Sequence, residues 1–174
     1  MTSADGTIVV RVGGEGGEGT ITLGDLFTRV AAYSGLETYS FRTYPAEIRG
    51  GQVMYQTRLG TERVMTEGDE ANVLVTMNQQ AWEEEHDDLC KGAALVFEAD
   101  LHIPDNGHPR YPIAAEEIAQ GLDWPMGKNF VLLGALIWFF RMDAEIAESL
   151  VRQRMGRHPE SLQKNLAAMH QGYA

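Results

Sequence analysis

The run Val10-Arg11-Val12-Gly13-Gly14-Glu15-Gly16-Gly17-Glu18-Gly19-Thr20 constrains this chain more than any other stretch. The β-branched segment Thr7–Val12 predicts a buried strand that ends abruptly in glycine. Gly13–Gly19 reads as a turn. From Thr20 the apolar residues Leu23, Leu26, Phe27, Val30 and Ala31 fall at helical spacing, and Gly35 stands where a left-handed cap closes such a helix. Leu36–Phe41 then predicts a second strand. A strand, a glycine turn, a helix and a strand in that order begin a parallel sheet of the Rossmann-like kind.

The remainder fits the same class. Gln52–Leu59 alternates in polarity, and with Glu62–Met65 it predicts an antiparallel hairpin laid against or beside the parallel sheet. Asn72–Met77 predicts a further buried strand, followed by a polar helix running through Trp82 and Leu89, then a strand at Ala93–Phe97. Glu98–Pro112 is rich in Pro, Gly, Asp and His and reads as a surface connection. Helices are expected at Ala114–Gln120, Phe130–Phe140, Ala144–Met155 (stopped by Gly156) and Pro159–His170. The expected fold is α/β: a three-layer, Rossmann-like, mostly parallel sheet with an added β-hairpin and a C-terminal helical segment, in one domain over residues 1–174.

A net charge of -11 opposes nucleic-acid and anionic-membrane binding, which need clustered Lys and Arg. The apolar run Phe130–Phe140 is too short for a bilayer, which takes about 20 residues. The N-terminal residues are polar and do not read as a signal peptide, so a cytoplasmic location is expected. A lone Cys90 excludes an internal disulfide and cannot supply the four thiolates of an ordinary iron–sulfur cluster. With Glu85, Asp87 and Asp88 nearby it is a poor thiolate, and it reads as half-buried packing. His86, His102, His108, His158 and His170 form no closely spaced ligand pair, so no metal site is expected. Glu83-Glu84-Glu85 with Asp87-Asp88 reads as a solvated helix face, and nothing in the sequence orients Asp100, His102 and Asp105 into a site.

Gly14, Gly16 and Gly19 match the dinucleotide spacing G-x-G-x-x-G between a strand and a helix. Two features oppose a pyrophosphate there. Glu15 and Glu18 place negative charge in the turn, and the second strand runs into Phe41-Arg42-Thr43 with no carboxylate for a ribose. An autonomous NAD(P)-binding oxidoreductase domain is the alternative reading, and glycines that let the helix pack closely on the sheet are the plainer one.

Three stretches together point further. Gly14-Glu15-Gly16-Gly17-Glu18-Gly19 resembles the G-x-G-G-Q-G turn that opens the γ domain of 2-oxoacid:ferredoxin oxidoreductases. Pro45-Ala46-Glu47-Ile48-Arg49-Gly50-Gly51 resembles the E-[IV]-R-G-G segment of that family, in the form with a preceding proline that is most like its 2-oxoglutarate branch. Gly127-Lys128-Asn129-Phe130, with Leu132-Leu133-Gly134-Ala135, resembles the family's K-N-M-x-x-L-G-A helix start, and Asn165-Leu166-Ala167-Ala168 and Gly172-Tyr173 fit as well. The departure is Glu18, which stands where the family usually has Gln.

The resemblance implies a γ component of a complex that converts 2-oxoglutarate or pyruvate and coenzyme A to acyl-CoA and CO2, with electrons passed to ferredoxin. It implies partner α and β subunits that bind the pyrimidine and pyrophosphate ends of thiamine diphosphate, and a ferredoxin-like δ subunit in some members. Thiamine diphosphate, Mg2+ and [4Fe-4S] clusters are then expected in the complex and none on this chain. Gly68-Asp69-Glu70 lacks the second glycine of a thiamine Mg2+ motif, and ferredoxin-type cysteine runs are absent. No catalytic residue is expected. Glu47, Arg49, Gly50, Gly51 and Lys128 are the candidates for coenzyme A or subunit contact, and Gly14, Gly16, Gly17, Glu18 and Gly19 form the turn beside them. An internal network holding the turn, or a repurposed module that only holds an assembly together, would use the same residues.

Overall fold

The computed structural model describes residues 6–44 and 51–174. Its strands are β1 (Ile8–Glu15), β2 (Glu37–Arg42), β3 (Gln52–Gly60), β4 (Ala71–Thr76), β5 (Leu89–Glu98) and β6 (Arg110–Ile113). The helices are α1 (Thr20–Tyr33), α2 (Gln79–Glu85), α3 (Ala115–Gly121), α4 (Lys128–Phe139), α5 (Ala144–Met155) and α6 (Pro159–Tyr173). They build the expected mixed α/β fold around one six-stranded sheet of order β2-β3-β1-β4-β5-β6.

β1, β4, β5 and β6 run parallel, while β3 is antiparallel to both of its neighbours, β1 and β2. The antiparallel strand is therefore inserted between the first two strands of the chain instead of lying beside the sheet. Residues 62–65 form no strand, because both edges of β3 are already taken by β1 and β2. That same pairing carries β1 past its β-branched run. Gly13, Gly14 and Glu15 pair with Met54, Val53 and Gln52, so the turn begins at Gly16.

Two more boundaries differ from the sequence reading. α2 ends at Glu85, and Leu89 opens β5 instead of closing the helix. The connection after β5 contains the edge strand β6 and buries Ile103 against Trp82, Leu74, Leu95 and Phe97. That small apolar cluster occupies one face of the sheet. On the other face Val10, Val12, Val73, Val75, Ala94 and Val96 pack with residues of α1, α4, α5 and α6. The alternation within each strand thus supplies both faces of a three-layer structure.

Arg11 points from β1 to the α2 side and is nearly inaccessible. Its guanidinium donates to Gln56 Oε1 at 2.7 Å, to the Asp69 carbonyl at 2.9 Å and to Glu85 Oε2 at 3.1 Å. Glu85 therefore leaves the acidic run to serve as an inward counterion and is not part of a solvated face. Burial still pushes its carboxyl up, with Arg11 pulling against that shift.

Candidate functional site

The carboxyl ends of β1, β4 and β5 converge on one crevice, the place where ligands gather in open α/β sheets. Its floor is the glycine turn. Gly17 and Gly19 have φ of 109° and 89°, in the left-handed region that other residues rarely adopt. Gly19 is also required by a close approach: a Cβ there would overlap the amide of Asn129, which donates to the Gly19 carbonyl at 3.4 Å. This contact ties the start of α1 to the start of α4.

Glu18 holds the turn from within. Its Oε2 accepts the Glu15 N–H at 2.7 Å and the Asn78 side-chain amide at 2.7 Å. Asn78 also caps α2 by accepting the Ala81 N–H at 2.8 Å. An anion of the chain itself thus takes two donors at this corner and opposes a pyrophosphate there by its charge. On its outer side the turn meets the neighbouring segment, since the Gly16 N–H donates to the Gly51 carbonyl at 3.0 Å.

Lys128, the first residue of α4, brings a cation into the crevice. Its ammonium donates to the Met77 carbonyl at 2.8 Å and lies 3.8 Å from Glu18, 3.8 Å from Glu98 and 3.9 Å from Glu116. Glu98, the last residue of β5, has a side chain only 4% exposed. Its carboxylate accepts the N–H groups of Ala99 at 3.2 Å and Glu116 at 3.1 Å. Burial nevertheless pushes the Glu98 carboxyl up, while Lys128 and these backbone donors pull it back. The Lys128 ammonium is thus already engaged by three carboxylates of the chain itself.

Beside the turn lies an open cleft of about 530 Å3 whose walls include Gly17, Trp124, Met126, Lys128 and Asn165. Trp124 is fixed by its indole N–H, which donates to Asn165 Oδ1 at 2.7 Å. The structure thus brings Glu18, Gly19 and Lys128 together and sets Gly51 against Gly16. Glu47, Arg49 and Gly50 lie outside the described residues. Glu98 and Asn78 escaped the sequence reading, and Asn129 entered it only within the resemblance to the K-N-M helix start. Asn78 had a signal, since Asn directly before a helix is a capping pattern. Glu98 had a weaker one, a carboxylate closing the apolar run Ala93–Phe97.

A single cysteine cannot supply the four thiolates of an ordinary iron–sulfur cluster. Cys90 is the chain's one cysteine, and the thiol accepts the Asn72 amide at 3.2 Å. Among the described residues no group of three His, Cys, Asp or Glu is placed to hold a metal ion. None of the described helices is long and apolar enough to cross a membrane.

The model of the pyruvate ferredoxin/flavodoxin oxidoreductase family matches residues 9–174. The chain is 27% identical to the 2-oxoglutarate oxidoreductase subunit KorA of Mycobacterium tuberculosis, over 95% of this chain and 30% of that protein. It is 28% identical to the 2-oxoglutarate synthase subunit KorC of Methanocaldococcus jannaschii, over 94% of this chain and 91% of that subunit. Among solved structures, a 2-oxoglutarate:ferredoxin oxidoreductase from Magnetococcus marinus, with 2-oxoglutarate, coenzyme A and succinyl-CoA bound, superposes with a TM-score of 0.90 at 35% identity. That match covers 96% of this chain and 30% of the other. The chain therefore spans about a third of the length of some relatives and nearly the whole of others.

Proposed function

From the premise that this chain belongs to the pyruvate ferredoxin/flavodoxin oxidoreductase family, we propose that it is the γ component of a cytoplasmic 2-oxoglutarate:ferredoxin oxidoreductase. The complex would convert 2-oxoglutarate and coenzyme A to succinyl-CoA and CO2 and pass two electrons to ferredoxin. The carrying observation is the close superposition of nearly all of this chain on a segment of the Magnetococcus marinus enzyme. Thiamine diphosphate, Mg2+ and the iron–sulfur clusters belong to the partner α and β subunits and, where there is one, a δ subunit.

In this reading the chain, one domain throughout, shapes the assembly and one wall of the coenzyme A path. Arg49 meets a coenzyme A phosphate, with Glu47, Gly50 and Gly51 forming the contact segment around it. Lys128 acts indirectly, holding the glycine turn, because its charge is spent on Glu18, Glu98 and Glu116. Exposed aromatic side chains support an assembly role: Tyr39, Phe41 and Tyr44 on and after the edge strand β2, and Trp138, 59% exposed at the end of α4. Surfaces of this kind mark contacts with other chains.

The test is co-purification of the tagged chain under anaerobic conditions, with coenzyme A-dependent viologen reduction measured on 2-oxoglutarate and pyruvate. Brown, iron-containing partners and a preference for 2-oxoglutarate are expected; a colourless, inactive, solitary chain would overturn the reading. Losing one charge-assisted phosphate contact costs about 1.5–3 kcal/mol. Arg49→Ala should therefore raise the KM for coenzyme A roughly tenfold or more and leave that for 2-oxoglutarate unchanged. An intact complex with an unaltered KM for coenzyme A would remove Arg49 from the path.

A further inference from the structure

We propose that Glu18 is a positioning residue which, by fixing the glycine turn on its inner side, sets the place of Gly51 on its outer side and thereby the affinity for coenzyme A. The coenzyme A part rests on the function proposed above; the mechanical part rests on geometry alone.

The turn from Gly16 to Gly19 has one side chain, that of Glu18, so packing cannot hold it through its glycines. Its conformation has to be imposed by hydrogen bonds. Glu18 makes them at both levels, since its N–H donates to the Glu15 carbonyl at 3.1 Å while its carboxylate accepts the Glu15 N–H and the Asn78 amide. The far ends of these bonds are rigid. Asn78 is locked as the cap of α2, and Lys128, facing the other carboxylate oxygen at 3.8 Å, is locked on the Met77 carbonyl. Glu18 therefore fastens the turn to the end of β4 and the starts of α2 and α4. Two residues away, the same turn presents the Gly16 N–H to the Gly51 carbonyl, and Gly51 itself has a φ of 82°. A shift of the turn is passed to Gly51 through that bond, because Glu18 holds both the N–H and the carbonyl of Glu15, the residue directly before Gly16.

Glutamine at this position would keep an oxygen to accept from Glu15 and Asn78 but would lose the attraction to Lys128. Glu18→Gln therefore serves as the conservative variant and Glu18→Ala as the disruptive one. In the reconstituted complex, Glu18→Ala should raise the KM for coenzyme A about five- to tenfold while kcat at saturating coenzyme A and the KM for 2-oxoglutarate hold. Glu18→Gln should return the KM for coenzyme A to within about twofold of the parent. In the isolated chain, hydrogen exchange at the Gly16 amide should quicken about tenfold in Glu18→Ala.

Arg49→Ala separates the two levels of the proposal. If Arg49→Ala raises the KM for coenzyme A and Glu18→Ala does not, Glu18 does not position the contact segment. Were Gly16 exchange to quicken while neither variant moves that KM, the coenzyme A reading would fall and the mechanical link would stand. Unchanged exchange at Gly16 in Glu18→Ala would overturn the link itself, whether or not that variant assembles.

Discussion

Replacing Gly134 with alanine should lower the stability of the chain by about 3 kcal/mol, the upper part of the range for forcing extra volume into a packed interior. Gly134 lies at the crossing of α4 and α6. A Cβ there would overlap the Met169 carbonyl oxygen and lie 2.8 Å from the Tyr173 nitrogen. The same crossing is tight from the other side, where a Cβ on Gly172 would overlap the Val131 carbonyl oxygen. These neighbours are backbone atoms and cannot rotate away. The helices must part, and α6 must draw Leu166 and Met169 out of the core they share with α4. In thermal unfolding, 3 kcal/mol corresponds to a fall of about 6–12 °C for a chain of this size. One separation relieves both overlaps, so Gly134→Ala with Gly172→Ala should cost clearly less than the sum of the two. Gly121, the last residue of α3, has open space at its Cβ position and is the control: alanine there should be neutral or slightly stabilising. A Gly134→Ala melting point within about 2 °C of the parent would mean the helices are not held this closely.

That crossing was legible as composition but not as geometry. A helix apolar nearly all round from Phe130 to Ile137 had to be buried, yet nothing in the sequence says that Gly134 meets a carbonyl. The same division runs through the fold. The strand β1, the helix α1 and the strand β4 could be read because β-branched runs and helical spacing are local signals, and α5 falls at its expected limits for the same reason. Alternation in β3 correctly gave its two faces, with Tyr55 and Leu59 buried on the α1 side. It could not give the neighbours, because which strands pair is a long-range matter, and β3 turned out to separate β1 from β2. The start of β5 was hidden because Leu89-Cys90-Lys91-Gly92 has no β-branched or aromatic residue and no clear alternation, and is exposed or half-exposed. In the crevice, Glu18 and Lys128 could be named from motif resemblance alone. Glu98 could not, since its meaning depends on a lysine 30 positions later in the chain.

Lys128→Met is expected to cost about 3 kcal/mol near neutral pH, the lower end of what breaking a buried ion pair costs. The loss should depend on pH in a particular direction. The Glu98 carboxyl is raised by burial and lowered chiefly by Lys128, so removing the ammonium raises it further. A group whose folded-state pKa lies above its unfolded value adds stability below the unfolded value and loses it as pH rises through the folded one. Near pH 4 Glu98 is largely protonated in the folded variant, and the deficit should be small. It should widen as pH rises and level off once Glu98 is ionised in the folded state. Glu116 is half exposed and screened by solvent, and adds little to this dependence. Adding Glu98→Gln to Lys128→Met removes the stranded charge but keeps an oxygen for the Ala99 or Glu116 N–H. The double variant should recover most of the loss, short of the parent by about 1 kcal/mol for the backbone donor left unserved, and its deficit should be flat with pH. Urea unfolding of the parent and both variants at several pH values measures this directly. If Lys128→Met shows a pH-independent deficit that Glu98→Gln does not relieve, then Lys128 holds the crevice through its hydrogen bond to Met77 and its packed stem. The ion pair with Glu98 would then carry none of the stability assigned to it.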